Sequence, residues 1–353
     1  MPPSKASRRQ VDFSTGDVRR NILSVAAPML VAQVLNLLYN IVDRIYIGKI
    51  PGEGTIALAG LGVCFPIVTL VTAFANLFGM GGSPLFSIQR GKGDRDRAQV
   101  ILGNTFALLV GTGVALTVVL LVLKRPLLYA FGASDATYPY ADSYLTIYLL
   151  GSIFVMISLG MNQFINAQGF GRTGMLTVLI GAVTNILLDP VFIFVLGMGV
   201  QGAALATILS QAVSMCLAIL YLTRRDFIFD FKLQSFRMYK DKALKLLKIG
   251  LPVSLQESMV SVSFLFIAAI VNSLGVITSA AVGIAGKFTN FAMLPATAFS
   301  GAISALTAQN MGAGQPDRAK KSLLIAISMA LGCGFFFFLW VQLAPQSVLH
   351  IFK

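Results

Sequence analysis

Nine long apolar runs, separated by short polar loops, set the hydrophobic pattern of this chain. They cover roughly residues 21–47, 56–89, 98–123, 140–167, 174–196, 200–222, 245–271, 276–309 and 319–343. Each holds the roughly 20 mostly apolar residues that an α-helix needs to cross the hydrocarbon of a bilayer. Strands of a membrane barrel would be about ten residues long with alternating polarity, and none of these runs alternates. The pattern predicts an all-α integral membrane protein with nine transmembrane helices.

Composition narrows the class. Of 353 residues, 56% are hydrophobic and only 12% charged, and the mean hydropathy is +0.80. A soluble domain carries about 25% charged residues, so this chain cannot cover a water-facing surface. A cytosolic enzyme, a disordered chain and a secreted disulfide scaffold are excluded. Cys64, Cys216 and Cys333 each lie inside an apolar run without metal-ligand spacing, and are expected to be small buried hydrophobes. The polar N-terminus, MPPSKASRRQVDFSTGDVRR, lacks the parts of a signal peptide, so the first run stays as a membrane helix.

A net charge of +13 is also the mark of a nucleic-acid binder, but the distribution argues otherwise. With nine spans, the loops alternate between two sides. One side receives 21 of the 27 Lys and Arg residues and the other receives four. Arg44 and Lys287 fall within spans. This bias places the N-terminus in the cytoplasm. The expected partner is the lipid bilayer, with no nucleic acid.

The chain repeats itself weakly. SPLFSIQRGKGDRDRA (83–98) parallels SALTAQNMGAGQPDRA (304–319) at an offset of 221, aligning Gly91, Gly93, Asp96, Arg97 and Ala98 with Gly312, Gly314, Asp317, Arg318 and Ala319. NILSVAAP (21–28) parallels LLKIGLP (246–252), so Pro28 matches Pro252 at an offset of 224. Six spans separate the copies, so both start on one side, as in two-lobed transporters with parallel repeats. The predicted organisation is a cytoplasmic segment 1–20, a first lobe 21–222 of six spans, a basic linker 223–244 and a partial second lobe 245–353. The linker is either a surface amphipathic helix or a plain solvated connection.

Carboxylates inside a span are costly and point to function. By helical rise, Asp43 lies roughly 6 Å, and Asp189 and Thr207 roughly 10 Å, from the ends of their spans opposite the basic side. Tyr39 with Asp43, and Asn185 with Asp189, are i, i+4 pairs that share a helix face. Turned together, these faces would make a small polar cluster in a low-dielectric wall. Such a cluster can load and release a proton, or bind Na⁺ through its oxygens. The plainer alternative pairs Asp43 with Arg44 and makes Asp189 a break before Pro190. Pro28, inside the first span, predicts a kink that acts as a hinge. Gln33, Asn36, Asn40, Glu257 and Lys287 are candidates for lining the cavity between the lobes, the last two equally placed to reach an interface.

Other motifs fail. GFGRTG (169–174) matches a dinucleotide fingerprint, but no strand precedes it and it fills a tight turn. His350 is the only histidine, so no Ser-His-Asp or Cys-His catalytic set can form. The chain is expected to be no enzyme and to need no cofactor or metal.

The sequence resembles the multidrug and toxic compound extrusion (MATE) transporters, in particular the MepA-like and DinF-like branches. The resemblance rests on NILSVAAPMLVAQVLNLLYNIVDRIYIGKI (21–50), GLGVCFP, FINAQGFGRTGM (164–175) and TNILLDPVFIFVLGMGVQGAALATILSQ (184–211). AVGIAGKF (281–288) and ALTAQNMGAGQPDRAKK (305–321) add to it. It implies a two-lobe bundle of twelve helices, acting as a monomer in the bacterial inner membrane. It also implies export of amphipathic, cationic drugs by antiport with H⁺ or Na⁺. It implies that Tyr39, Asp43, Asn185, Asp189 and Thr207 form the cation-coupling cluster of the first lobe, with Pro28 as kink proline. The second lobe departs from some branches: Val260 stands where they carry a glutamate, and Glu257 lies three residues earlier. At the offset of 224, Asp43 aligns with Ile267. Alternative readings are a lipid-linked saccharide flippase and a non-transporting scaffold. Six spans plus three leave the second copy about three short, so the chain is expected to be C-terminally incomplete.

Overall fold

A computed structural model describes residues 11–223 and 238–347. All regular structure among them is helical: α1 (Val18–Gly48), α2 (Gly54–Gly91), α3 (Arg95–Ala130), α4 (Tyr138–Leu150), α5 (Ser152–Ala167), α6 (Gly171–Pro190), α7 (Val200–Leu222), α8 (Lys240–Ser273), α9 (Val276–Gly312) and α10 (Pro316–Leu343). One π-helical turn, Val191–Val195, extends α6. Most of the basic linker, and His350, lie outside the described residues.

The nine apolar runs map onto these helices with one correction. The fourth run is not a continuous helix. It bends by 55° between α4 and α5, because Gly151 lets α7 approach. A Cβ at Gly151 would collide with the Ile208 side chain. A broken helix frees backbone groups that lipid cannot satisfy, and here Thr117 of α3 supplies the partner. Its hydroxyl donates to the Leu149 carbonyl at 3.0 Å and lies 2.8 Å from Ser152 Oγ. Seven helices among the described residues are long and apolar enough to cross a membrane, and the bent pair makes an eighth. α8 is 34 residues long and begins in a lysine-rich turn. Only Cys64 is buried as expected; Cys216 is exposed and Cys333 half-buried. Exposed faces of these helices meet lipid, so a small apolar side chain costs nothing there.

α1 to α7 pack mainly among themselves, and α9 packs on α10. The two sets meet where α2 lies against α8 and α9, and where α1 lies against α9. Glycines set this contact. A Cβ at Gly81 would fall 2.6 Å from the Leu246 carbonyl, and one at Gly250 would strike the Leu77 carbonyl. A Cβ at Gly91 would strike the Gln309 carbonyl, and one at Gly312 the Ile88 carbonyl. The last two contacts are images of each other under the 221 offset, as an axis relating two repeats requires. Further from the basic end, Ser254 Oγ donates to the Ala73 carbonyl at 3.4 Å and Thr297 Oγ1 to Gln33 Oε1 at 2.8 Å. No hydrogen bond among the described residues joins the two sets beyond that level. There Ile41, Ile45, Met259 and Ile267 are exposed. The glycine contacts between the two sets gather toward the basic end.

Gly151→Ala should destabilise the protein by about 1–3 kcal/mol through overpacking against Ile208. Adding Ile208→Ala should recover part of that loss. Thermal melting of both variants in one detergent checks it, and additive losses would show that Ile208 does not set the bend.

Candidate functional site

The site is built where α1 packs against α6. Asp43 stands five residues before the end of α1 and is buried. Asp189 closes the regular part of α6 and is fully buried. Pro190 follows, and the chain continues as a π turn, a form that recurs at functional sites. The two carboxylates, 146 positions apart in sequence, come within electrostatic reach of each other. Asn185 Nδ2 donates to Asp189 Oδ1 at 3.4 Å. Arg44 is exposed, and no ion pair among the described residues joins it to Asp43.

Three oxygens of this cluster have no hydrogen-bond partner: Asp43 Oδ1, Asn185 Oδ1 and Asp189 Oδ2. A buried oxygen left unpartnered costs about 1–3 kcal/mol, more when charged. The cluster is therefore a place that a proton or a cation would stabilise.

Tyr39 and Asn185, each one turn from its aspartate, line a cavity of about 130 Å³ between α1, α5, α6 and α7. Gln33 and Asn36 line it from α1 and Gln211 from α7, where the Gln211 side chain approaches the Tyr39 hydroxyl. Amides furnish its α5 wall. Asn162 Nδ2 donates to the Gly174 carbonyl at 3.0 Å and to Thr177 Oγ1 at 2.9 Å, and Asn166 Nδ2 donates to Asn162 Oδ1 at 2.9 Å. The cavity thus carries many neutral hydrogen-bonding groups, and the two carboxylates lie outside its lining, one helical turn from Tyr39 and Asn185.

Several expected residues stand elsewhere. Asn40 is exposed and its amide turns back to the Asn36 carbonyl at 2.6 Å, so it is not in the cavity wall. Thr207 is half-buried on α7, one turn before Ser210 and Gln211, and does not line the cavity. Lys287 is exposed on α9. Glu257 lies on α8, and its side chain is outside the described residues. Pro28 is half-buried within an uninterrupted α1. Among the described residues no cluster of three His, Cys, Asp or Glu could hold a metal.

Two residues went unnoticed in the sequence. Tyr144 and Tyr148 of α4 stack at 6.2 Å, both buried, and reach the cluster electrostatically, Tyr144 through Asp43 and Tyr39, Tyr148 through Tyr39. Their i, i+4 spacing was the available signal, the same as that of Tyr39 and Asp43. Only the packing of α4 among α2, α3 and α7 brings it near the cluster.

Residues 28–191 and 252–353 match the MatE family. The chain is 27% identical over 309 residues to the "Probable multidrug resistance protein YpnP" of Bacillus subtilis (strain 168), covering 87% of this chain and 68% of that protein. It is 25% identical over 319 residues to the "Multidrug export protein MepA" of Staphylococcus haemolyticus (strain JCSC1435), covering 90% and 70%. Among solved structures it superposes on an outward-facing multidrug resistance MATE family transporter of the MOP superfamily. The TM-score is 0.88 at 26% identity, over 97% of this chain and 75% of the other.

Asn162→Leu should cost about 1–3 kcal/mol of stability, because it leaves the Thr177 and Asn166 side chains without their partner. A melting temperature equal to the parent's would show that the amide wall does not depend on this hub.

Proposed function

The chain belongs to the MatE family, and on that premise we propose that it exports amphipathic, cationic small molecules in exchange for a monovalent cation. It is a membrane transporter and not an enzyme. The observation that carries the proposal is the burial of Asp43 and Asp189 together, with unpartnered oxygens, beside a polar cavity. A hard cation collects about six oxygens. The three unpartnered here fit a proton better than Na⁺, and H⁺ is the coupling ion we favour.

In this reading the first lobe is 21–222, the second begins at 245, and 223–244 links them. The basic end is cytoplasmic, the membrane is a bacterial inner membrane, and the working unit is a monomer. The lobes rock about their contact, so that drug enters from the basic side and leaves from the other. Cation binding shifts this equilibrium only if the aspartates hold the cation more tightly in one state. α1 is the element that carries the difference. It bears Asp43, the Pro28 hinge that lacks one helical hydrogen bond, and Gln33, which accepts from Thr297 of α9. Exposed Met259 and Met293 offer an adaptable apolar surface for greasy cations.

The test is drug efflux from cells expressing the full-length reading frame. Asp43→Asn and Asp189→Asn should each lower gradient-driven export by about tenfold or more, with drug binding retained. Normal export by both would overturn the coupling role. A hydrophobic carbodiimide, which attacks protonated buried carboxyls, separates the ions. Labelling of Asp43 and Asp189 that falls as pH rises and ignores Na⁺ fits H⁺ coupling, whereas protection by Na⁺ would assign that ion instead.

A further inference from the structure

Before α1 begins, residues 11–16 lie across the basic end of the bundle and touch both sets of helices. Val11 N donates to the Gly169 carbonyl in the α5–α6 turn at 3.2 Å. Phe13 is fully buried, with the Arg90 guanidinium 5.9 Å over its ring. Arg90 in turn donates to the Ala167 carbonyl at 3.1 Å. These contacts belong to the first set. On the second, Gln309 Nε2 of α9 donates to Asp12 Oδ1 at 3.3 Å. Arg318 of α10 donates to the carbonyls of Phe13 at 3.0 Å, Thr15 at 2.6 Å and Gly16 at 2.9 Å. Asn21 of α1 closes the loop with donors to the Asp12 and Thr15 carbonyls at 3.1 and 2.7 Å.

The repeat shows that Arg318 has a special assignment. Its counterpart Arg97 makes a local ion pair with Asp94 at 3.1 Å. At the position equivalent to Asp94 the second copy has Gln315, so Arg318 lacks the acid three residues earlier with which Arg97 pairs. Its fork of donors is released to hold three carbonyls 302 to 305 positions away. Hydrogen bonds from a charged donor are about twice as strong as neutral ones, and a cation over a buried ring adds to them. Burial pushes the Asp12 carboxyl up, but hydrogen bonds from Ser14 and Thr15 and the nearby Arg90 outweigh it and hold it below its ordinary value. The Asp12 carboxylate therefore stays charged where it bridges.

We propose that residues 11–16 are a strap that clamps the basic ends of the two lobes together and must let go before that face can open. Arg318 and Phe13 are its anchors. The contacts to both sets cannot survive separation of Arg90 and Gly169 from Gln309 and Arg318, because six residues can follow only one of them. The strap rests on the rocking motion described above, but its test reads opening and not export.

The reporter is Ala308→Cys, on the α9 face that meets α2, one turn before Gly312. It is placed in the full-length protein with Cys216 and Cys333 replaced by serine and buried Cys64 kept. A small membrane-permeant maleimide in native membranes labels the reporter when the basic face opens. Arg318→Gln, and separately the milder Phe13→Leu, should raise the labelling rate about fivefold or more while Cys64 stays silent. Arg97→Gln should leave the rate unchanged. Parental rates in both strap variants would overturn the proposal. So would an equal rise in Arg97→Gln, which means a general charge effect, or a parallel rise at Cys64, which means the segment supports folding and not closure. A protein that opens faster when unstrapped but exports no drug would sink the transport reading and leave the strap standing.

Discussion

Where α2 meets α8 and α9, backbone closes on backbone at Gly81 with Gly250 and at Gly91 with Gly312. Lipid tails are as apolar as leucine, so two membrane helices gain little from hiding apolar surface from each other. What holds them is close van der Waals fit, and that needs small residues. Gly81 with Gly250, and Gly91 with Gly312, supply it at one end of the bundle. The close fit gathers in that half. The rest of the arrangement depends on this: which end is held closest, where the strap can reach across, and where α1 has room to bend.

The buried aspartates stand in a different balance. Both lie where α1 meets α6, and both carry the cost of burial. Such groups persist in membranes where they do chemistry. Their setting is graded. Neutral amides and hydroxyls line the cavity, the carboxylates lie one turn beyond Tyr39 and Asn185, and two stacked tyrosines reach this cluster electrostatically. Hydrogen-bonding capacity is thus plentiful and charge is scarce, which keeps the response local to Asp43 and Asp189.

Symmetry and its breaking divide the labour. The Gly91 and Gly312 contacts obey the repeat, as an axis relating the two copies requires. The chemistry does not. Asp43 corresponds to Ile267, and Asp94 to Gln315. The first difference leaves the aspartate of α1 without a counterpart in the second copy. The second frees Arg318 to grip the chain ahead of α1. In each case a single changed residue within a repeated motif turns a shared scaffold to a one-sided task.

Much of this was legible in sequence. The span positions follow from length and apolarity alone, because the bilayer tests each segment separately. Tyr39/Asp43 and Asn185/Asp189 were legible as pairs for the same reason: an i, i+4 spacing is a property of one helix. The repeat was legible in its glycines. What needed tertiary structure was every fact that depends on rotation or bending of one helix against another. Asn40 and Asn36 are near neighbours on α1, yet only Asn36 faces the cavity. Thr207 lies at the expected depth, half-buried on α7 and outside the cavity lining. Tyr144 and Tyr148 joined the cluster, and the fourth span broke at Gly151 to admit Ile208. The polar segment 11–16 read as a plain tail, since no periodicity marks residues held by another helix's arginine. The sequence by itself determined which segments enter the membrane and which residues are costly there. The tertiary structure alone decided which of them meet, because hydropathy reports depth along a helix axis and is silent about the direction around it.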